Sequence, residues 1–518
     1  MSKRYSLLAL IVSVGIGVFF YAGSGIGQQR APVSPDAVEE AQTPKAPSSK
    51  RVEQEKSSQD QSDIFSGPAA PLSSPALENQ PDQGKMLGFD FARDPLNAKR
   101  PMQPAEEIMK NDIAEKPKVT DAQRRLLEQR YELKPRLDSA VKMSRGKPLA
   151  VGPTARLSKG ATWQSLAQMS SDEIRERGLF PYPSLPHPKH ATGGMVFPQA
   201  QIEMFPRLDR FDVEFDIPEA FLPEFPPAMF LQNRPELGDV SRGEVVSVNN
   251  FFRLFKDLLT PVQLDGLRWL VFPFPQEEFN ATDDRKTVNP SLGVSCFDCH
   301  VNGHTTAQFH LNPDDRPQHR RFRLDTTSLR GMFNQQIHGS KRSLRSVEDF
   351  TEFEQRTAYF NGDPIRPMKK GMNFLDRVRV SHMAQVQNML DFPPAPKLDV
   401  MGRLDPSKAT QQELLGERVF FSKGRCAECH APPSFMDQQM HDLKVERFYT
   451  PFLVNGQLNG ADGPIKTFTL RGIKDSPPYL HDGRLMTLED TVEFFNLVLQ
   501  LKLDSGEKNA LVAYMRQL

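Results

Sequence analysis

The sequence predicts an all-α fold in which two similar helical domains pack together, preceded by an irregular, proline-rich N-terminal extension. Three observations predict it. A C-x-x-C-H motif occurs twice, at residues 296–300 and 426–430; the residues after the two motifs resemble each other; and apolar residues around both recur at helical spacing. At 518 residues the chain has room for about three domains of roughly 150 residues each. Its 44 prolines exceed the average share of roughly 5% and mark long stretches of irregular backbone between helices.

Residues 1–27 open with Met1-Ser2-Lys3-Arg4 and continue into an apolar run from Leu7 to Ala22, the charged and apolar regions of an export signal. The chain is therefore expected in the periplasm. No small-x-small cleavage site follows, and the run is near the lower limit for a membrane span. A cleaved signal peptide and a retained inner-membrane anchor both stay open. Residues 28–85 are Pro, Ser, Gln and charge with almost no aromatics, too little apolar surface to offset ordering entropy, and read as a disordered linker. Residues 86–240 form the extension, with a helical stretch at 121–133, another opening at Ser170-Ser171-Asp172-Glu173, and a loop holding His187 and His190. So irregular a segment must pack on a scaffold to be ordered, and it is expected to wrap the two domains and shape access to them. The domains follow at 241–395 and 396–518. Lys+Arg and Asp+Glu each number 65, so bulk charge gives no reason to expect nucleic acid as a partner.

Four cysteines in an exported chain would ordinarily suggest two disulfides. Here they form Cys296-Phe297-Asp298-Cys299-His300 and Cys426-Ala427-Glu428-Cys429-His430. Two thiols three residues apart on one helical turn form thioethers with the vinyl groups of a haem, and the adjoining imidazole coordinates the iron. This reading gives two covalently bound haem c groups, anchored at Cys296, Cys299, Cys426 and Cys429, with His300 and His430 as iron ligands. A zinc site from the two C-x-x-C pairs is the rival, but it needs neither histidine, and the pairs lie far beyond zinc-ribbon spacing.

Similar text follows each motif. Thr327-Ser328-Leu329-Arg330-Gly331 matches Phe468-Thr469-Leu470-Arg471-Gly472; pairing Gly339 with Gly483 and Leu344 with Leu488 carries the alignment to Phe350 and Phe494. Apolar text precedes both motifs, around Trp269 to Phe272 and Leu415 to Phe421, and forms the leading helices. The chain ends in a capped helix with Leu511, Val512 and Met515 at helical spacing.

The residues Leu470-Arg471-Gly472, Pro478-Tyr479-Leu480-His481-Asp482-Gly483-Arg484 and Thr487-Leu488-Glu489 resemble the C-terminal signature of the di-haem cytochrome c peroxidase and MauG superfamily. The likeness covers about residues 245–518, strong in the second domain and weaker in the first. It implies two cytochrome-c-like domains, the first with an open peroxide-reactive haem and the second with an electron-relay haem. It also implies hydrogen peroxide or dioxygen as oxidant and a small electron-donor protein such as a monohaem cytochrome or cupredoxin. His481 would sit beside the second haem. Whether an interdomain Ca²⁺ accompanies the haems is left open.

The chain also departs from the family. Where the relay haem's sixth ligand is Met in the peroxidases and Tyr in MauG, this sequence has Phe495, on an inward stripe with Leu488, Val492 and Leu499. The second haem is then five-coordinate, bound by water, or ligated by Met436, Met440 or His441. The peroxidases' Trp-Asp-Gly-Arg run reads here Ile337-His338-Gly339-Ser340, and the only tryptophans, Trp163 and Trp269, precede the first motif. Peroxide chemistry needs an acid-base group, for which Glu352, Glu354 and Asp363 are candidates. His304, His310 and His319 are candidates for a displaceable ligand. His382 shares a helical face with Leu375, Val378, Val386 and Met389, is expected to point inward between the domains, and joins Glu352 and Glu354 as a catalytic candidate. Oxidation of an organic or protein substrate, as in MauG or the di-haem rubber oxygenases, and pure electron transfer are the rival functions.

Overall fold

The computed structural model describes residues 102–185, 197–211, 215–278, 286–292, 294–311, 323–341, 344–354, 376–450, 452–454, 457–459 and 462–518. All lie within one compact unit, Ala76–Leu518. The expected signal segment and linker at 1–85, and His187, His190, His319, Asp363 and Leu375, lie outside the described residues. No helix among them is long and apolar enough to cross a membrane.

The extension opens with helix α1, Ala105–Arg130, which starts earlier and ends sooner than the apolar pattern at 121–133 suggests. Next comes an antiparallel hairpin of strands Leu137–Lys142 and Pro148–Ala150, closed through Gly146 in the left-handed region. The expected start at Ser170 is a capping box: its hydroxyl accepts from the Glu173 amide, and the Glu173 carboxylate accepts from the Ser170 amide.

Two repeats follow with the same framework. The first runs α2 (Pro261–Val271), the short α3 (Cys296–Cys299), α4 (Val347–Glu354) and α5 (Arg377–Gln387). The second runs α6 (Gln411–Phe421), a 3-10 turn at Cys426–Glu428, α7 (Leu488–Val498) and α8 (Ser505–Met515). The leading helices start on matching capping boxes, Thr260 with Gln263 and Thr410 with Glu413. Each is then crossed by the repeat's last helix at a glycine. A Cβ on Gly266 would lie 2.0 Å from the His382 carbonyl oxygen, and one on Gly416 would lie 1.9 Å from that of Ala510. Only glycine permits so close an approach.

The structure corrects the alignment of the copies. Gly331 and Gly472 both adopt left-handed φ and cap a 3-10 turn. The isolated bridge His338–Leu344 then answers Tyr479–Leu485, and the next helix is capped by Ser346 in one repeat and Thr487 in the other. The offset between partners stays constant throughout, so Leu344 matches Leu485 rather than Leu488. In this register His338 opposes Tyr479, and Glu354 opposes Phe495.

The all-α expectation needs a second correction. The loops pair into one three-stranded and five two-stranded sheets among the described residues. Strands of two to seven residues are too short to leave a periodic signal in sequence.

Two apolar cores surround the two motifs. The first gathers Leu267, Leu270, Phe297, Met383 and Val386. The second joins Phe420, Phe494, Leu511 and Tyr514 to Leu127, Tyr131, Phe180 and Phe221 of the extension. Phe180 lies edge-on to Phe494, with centroids 6.4 Å apart, and burying such a side chain contributes about 1.5–3 kcal/mol. Residues of the extension thus complete the core of the second repeat.

Candidate functional site

Each motif is built so that its histidine presents one nitrogen. In the first, Ser295 caps α3 by accepting from the Asp298 amide, and Asp298 returns a carboxylate oxygen to the Ser295 amide. His300 then leaves the helix, and its Nδ1 donates to the Thr327 carbonyl at 2.8 Å. In the second, His430 Nδ1 donates to the Phe435 carbonyl at 3.0 Å. Donation from Nδ1 fixes the tautomer with its lone pair on Nε2, the form in which a histidine serves as a metal ligand. Burial lowers the pKa of His430 from its ordinary value, which favours the neutral ligand form. No disulfide joins any of the four cysteines, and burial pushes Cys299 well up and Cys426 up to about 12. Neutral thiols beside a tautomer-fixed imidazole fit thioether attachment of a haem at each motif.

Sequence reasoning missed the residues that brace the first motif. Gln201 Nε2 donates to the Asp298 carbonyl at 2.6 Å, and Arg207 Nη2 donates to the Asp298 carboxylate at 2.7 Å. Both come from the extension, and nothing in their local sequence marks them. Among the described residues the second motif has no such cover: its three-residue turn buries no residue, and its Arg425–Glu428 ion pair faces solvent.

The candidate acids separate. Glu352 pairs with Arg377 at 2.5 Å on a partly exposed helix edge. Glu354, two residues on, adds a small charge contribution to the rise of the Cys299 thiol, which burial and then Asp298 dominate. His304 is not a displaceable ligand. It is 2% exposed, its Nε2 donates to the Asp475 carbonyl at 3.0 Å, and its Nδ1 accepts from the Ser328 hydroxyl at 2.8 Å. His310 has only its backbone among the described atoms, in the strand Phe309–Leu311.

His382 also departs from expectation. Its supposed face is not a buried stripe, since Val378 is 63% exposed, and its Nδ1 sits 2.8 Å from Asp265 on α2 within its own repeat. It therefore braces α5 against α2 instead of facing the second repeat.

His481 is buried, with Nε2 3.6 Å from the Asp462 carboxylate and Nδ1 without a partner among the described residues. Burial lowers its pKa to about 4. Burial also opposes the charge of Asp462, but Arg484 at 2.7 Å outweighs this and holds its carboxyl well below the usual range. The Tyr449 hydroxyl at 3.0 Å and the Ser184 hydroxyl at 2.7 Å donate to the same carboxylate.

Of the alternative ligands near the second motif, Met436 is buried and His441 Nε2 is engaged by Asp437 at 2.6 Å. Ligand atoms of Cys429, Asp437 and His441 lie within 4.8 Å of one another, the one group of metal-ligating side chains found among the described residues. Its thiol sets it apart from the oxygen ligands that Ca²⁺ takes. Phe495 is half-buried, edge-on to Phe494, and offers no ligand atom.

No family model matches the chain. It is 29% identical over 151 residues to cytochrome-c peroxidase IdrP2 of Denitromonas iodatirespirans, covering 22% of this chain and 41% of the relative. It is 30% identical over 151 residues to cytochrome c551 peroxidase of Nitrosomonas europaea, covering 28% and 44%. The chain thus spans less than half the length of these curated relatives. Among solved structures, hydrazine synthase of Kuenenia stuttgartiensis matches with TM-score 0.35 and 20% identity over 54% of this chain and 94% of its own. A MauG-like protein associated with microbial copper homeostasis matches with TM-score 0.32 and 16% identity over 43% and 82%. By these sequence matches, the chain is similar to cytochrome c peroxidases over a part of its length.

Proposed function

We propose that this chain is an exported cytochrome carrying two covalently bound haem c groups, and that it reduces hydrogen peroxide with electrons from a small redox protein. One observation carries the reading: both C-x-x-C-H histidines donate Nδ1 to a backbone carbonyl and so hold Nε2 in the ligand form. Cys296, Cys299, Cys426 and Cys429 then anchor the porphyrins, and His300 and His430 hold the irons. Bound haem supplies the redox chemistry, and the protein tunes access and proton supply.

In this reading the roles divide by burial. The braced first motif, with Glu354 in electrostatic reach, is the peroxide site, and Glu354 moves the proton between the two oxygens. The uncovered edge of the second motif, at Cys426–Glu428, receives the donor, a monohaem cytochrome or cupredoxin. The apolar N-terminal run delivers the chain to the periplasm, as signal peptide or inner-membrane anchor.

A second reading, dioxygen-dependent oxidation of an organic or protein substrate, is favoured by Phe495, which leaves the second haem without a ligand from α7.

The test is haem content, electron paramagnetic resonance and visible absorption on the purified protein, before and after peroxide. Two haems per chain, a high-spin ferric signal altered by peroxide, and turnover with a reduced cytochrome donor support the peroxidase. Oxygen consumption on candidate substrates without peroxide turnover selects the second reading. Two low-spin, unresponsive haems overturn both in favour of an electron carrier. Glu354→Gln is expected to slow the peroxide step by about 10²–10⁴-fold with haem content unchanged.

A further inference from the structure

The loop after the first repeat's 3-10 turn docks on the second repeat. The Gln336 amide donates to Gln438, Gln438 donates back to the Asn334 carbonyl, and the Lys466 amide donates to the Ser340 carbonyl at 2.9 Å. Two buried side chains lie at this junction, Lys466 with only a neutral oxygen accepting from its ammonium and His338 with Nδ1 lacking a partner among the described residues.

Lys466 is 3% exposed. Its ammonium donates to the Gln335 side-chain oxygen and lies 5.0 Å from the Phe468 ring, and no carboxylate among the described residues offsets it. Burial alone pushes it down to about 7. His338 is 2% exposed, its Nδ1 is buried without a partner among the described residues, and burial, with a smaller contribution from the Lys466 charge, lowers its pKa to about 4. A buried ammonium facing only a neutral oxygen costs several kcal/mol, and an imidazole nitrogen left unbonded beside it adds to that cost. Native structures rarely leave two such groups together unless a ligand completes them.

We propose that Lys466 and His338 form a carboxylate-binding cradle across the junction of the two repeats. The ammonium has donors left after Gln335, and the imidazole adds one, so a two-oxygen anion satisfies both side chains at once. The source of the carboxylate is a haem propionate or a monocarboxylate from solution. Only the first source rests on the two-haem reading.

The test uses the haem-loaded protein and its Lys466→Met and Lys466→Arg variants, with haem content measured first. If a propionate fills the cradle, Lys466→Met lowers the melting temperature. It also shifts the ferric/ferrous ratio of one haem toward ferric by about tenfold at fixed poise, about 59 mV for a one-electron couple. Lys466→Arg retains both properties. If a soluble carboxylate fills it, sodium acetate raises the wild-type melting temperature above that in sodium chloride of equal ionic strength. Lys466→Met abolishes this increment and leaves the haem ratios unmoved. If nothing binds, replacing an unpartnered buried cation by Met raises the melting temperature with unmoved ratios and no acetate effect, and the proposal is wrong. Should Lys466→Met fail to accumulate, His338→Gln is measured the same way. A sample without two haems defeats the functional reading, while its acetate arm still decides the cradle.

Discussion

The two repeats share a backbone plan and differ in the side chains that plan displays. Thr260 and Thr410 start equivalent helices, Gly266 and Gly416 let equivalent helices cross, and His300 and His430 are fixed through Nδ1 by a carbonyl. At matching positions, however, the first repeat shows His338 and Glu354 where the second shows Tyr479 and Phe495. The first motif is braced by Gln201 and Arg207, whereas the turn of the second buries none of its residues. Duplication thus preserves what the backbone demands and frees the side chains around each motif, so equivalent folds need not perform equivalent chemistry.

The crossing glycines give the largest expected effect. Gly266→Ala and Gly416→Ala each press a Cβ into a backbone carbonyl that no rotamer change can relieve. Each should cost about 3 kcal/mol or more in chemical denaturation, despite alanine's better helix propensity. A large loss in one repeat alone would break the equivalence of the two crossings.

His481 gives the next effect. The folded state holds it neutral down to about pH 4, whereas the unfolded chain takes up the proton near 6.5. Stability should therefore fall as pH is lowered from about 6.5 to about 4, by on the order of 3 kcal/mol. The variant His481→Gln should remove this slope from the pH dependence of the melting temperature. An unchanged slope would show that His481 is not the group responsible.

The helix caps sharpen the comparison. Asp490 accepts from the Thr154 amide at 2.6 Å, the Thr154 hydroxyl at 2.7 Å and the Ala155 amide at 3.1 Å, tying the extension to α7. Its counterpart Asp349 meets only exposed Arg377 beyond its own cap. Asp490→Asn should cost about 2 kcal/mol and Asp349→Asn less than about 0.5 kcal/mol in urea unfolding. Equal losses would mean that the extension adds nothing to the second repeat. Smallest, Thr260→Ala and Thr410→Ala should each cost about 1 kcal/mol, and a clear inequality would separate the two leading helices.

Much of this was legible in the chain. The C-x-x-C-H motifs named their own histidines, because thioether attachment and ligation need those residues at that spacing. Ser170 announced its helix because a cap is a local hydrogen bond. His382 misled because its proposed stripe drew on apolar spacing alone: Val378 on that stripe faces solvent, and Asp265, the partner that holds His382, comes from another helix. The copies were misaligned because Gly339 and Gly483 look equivalent, whereas the bridges that fix register join residues six apart with little sequence signature.

By itself, then, the sequence determined the duplicated helical plan, the C-x-x-C-H motifs and the caps, all set by contacts within a few residues. Tertiary structure alone decided how Arg207 and Gln201 reach Asp298, and that the Lys466 ammonium is buried against Gln335. Those pairings join residues far apart in the chain, and their strength depends on the burial that tertiary packing creates, which no local pattern of residue types records.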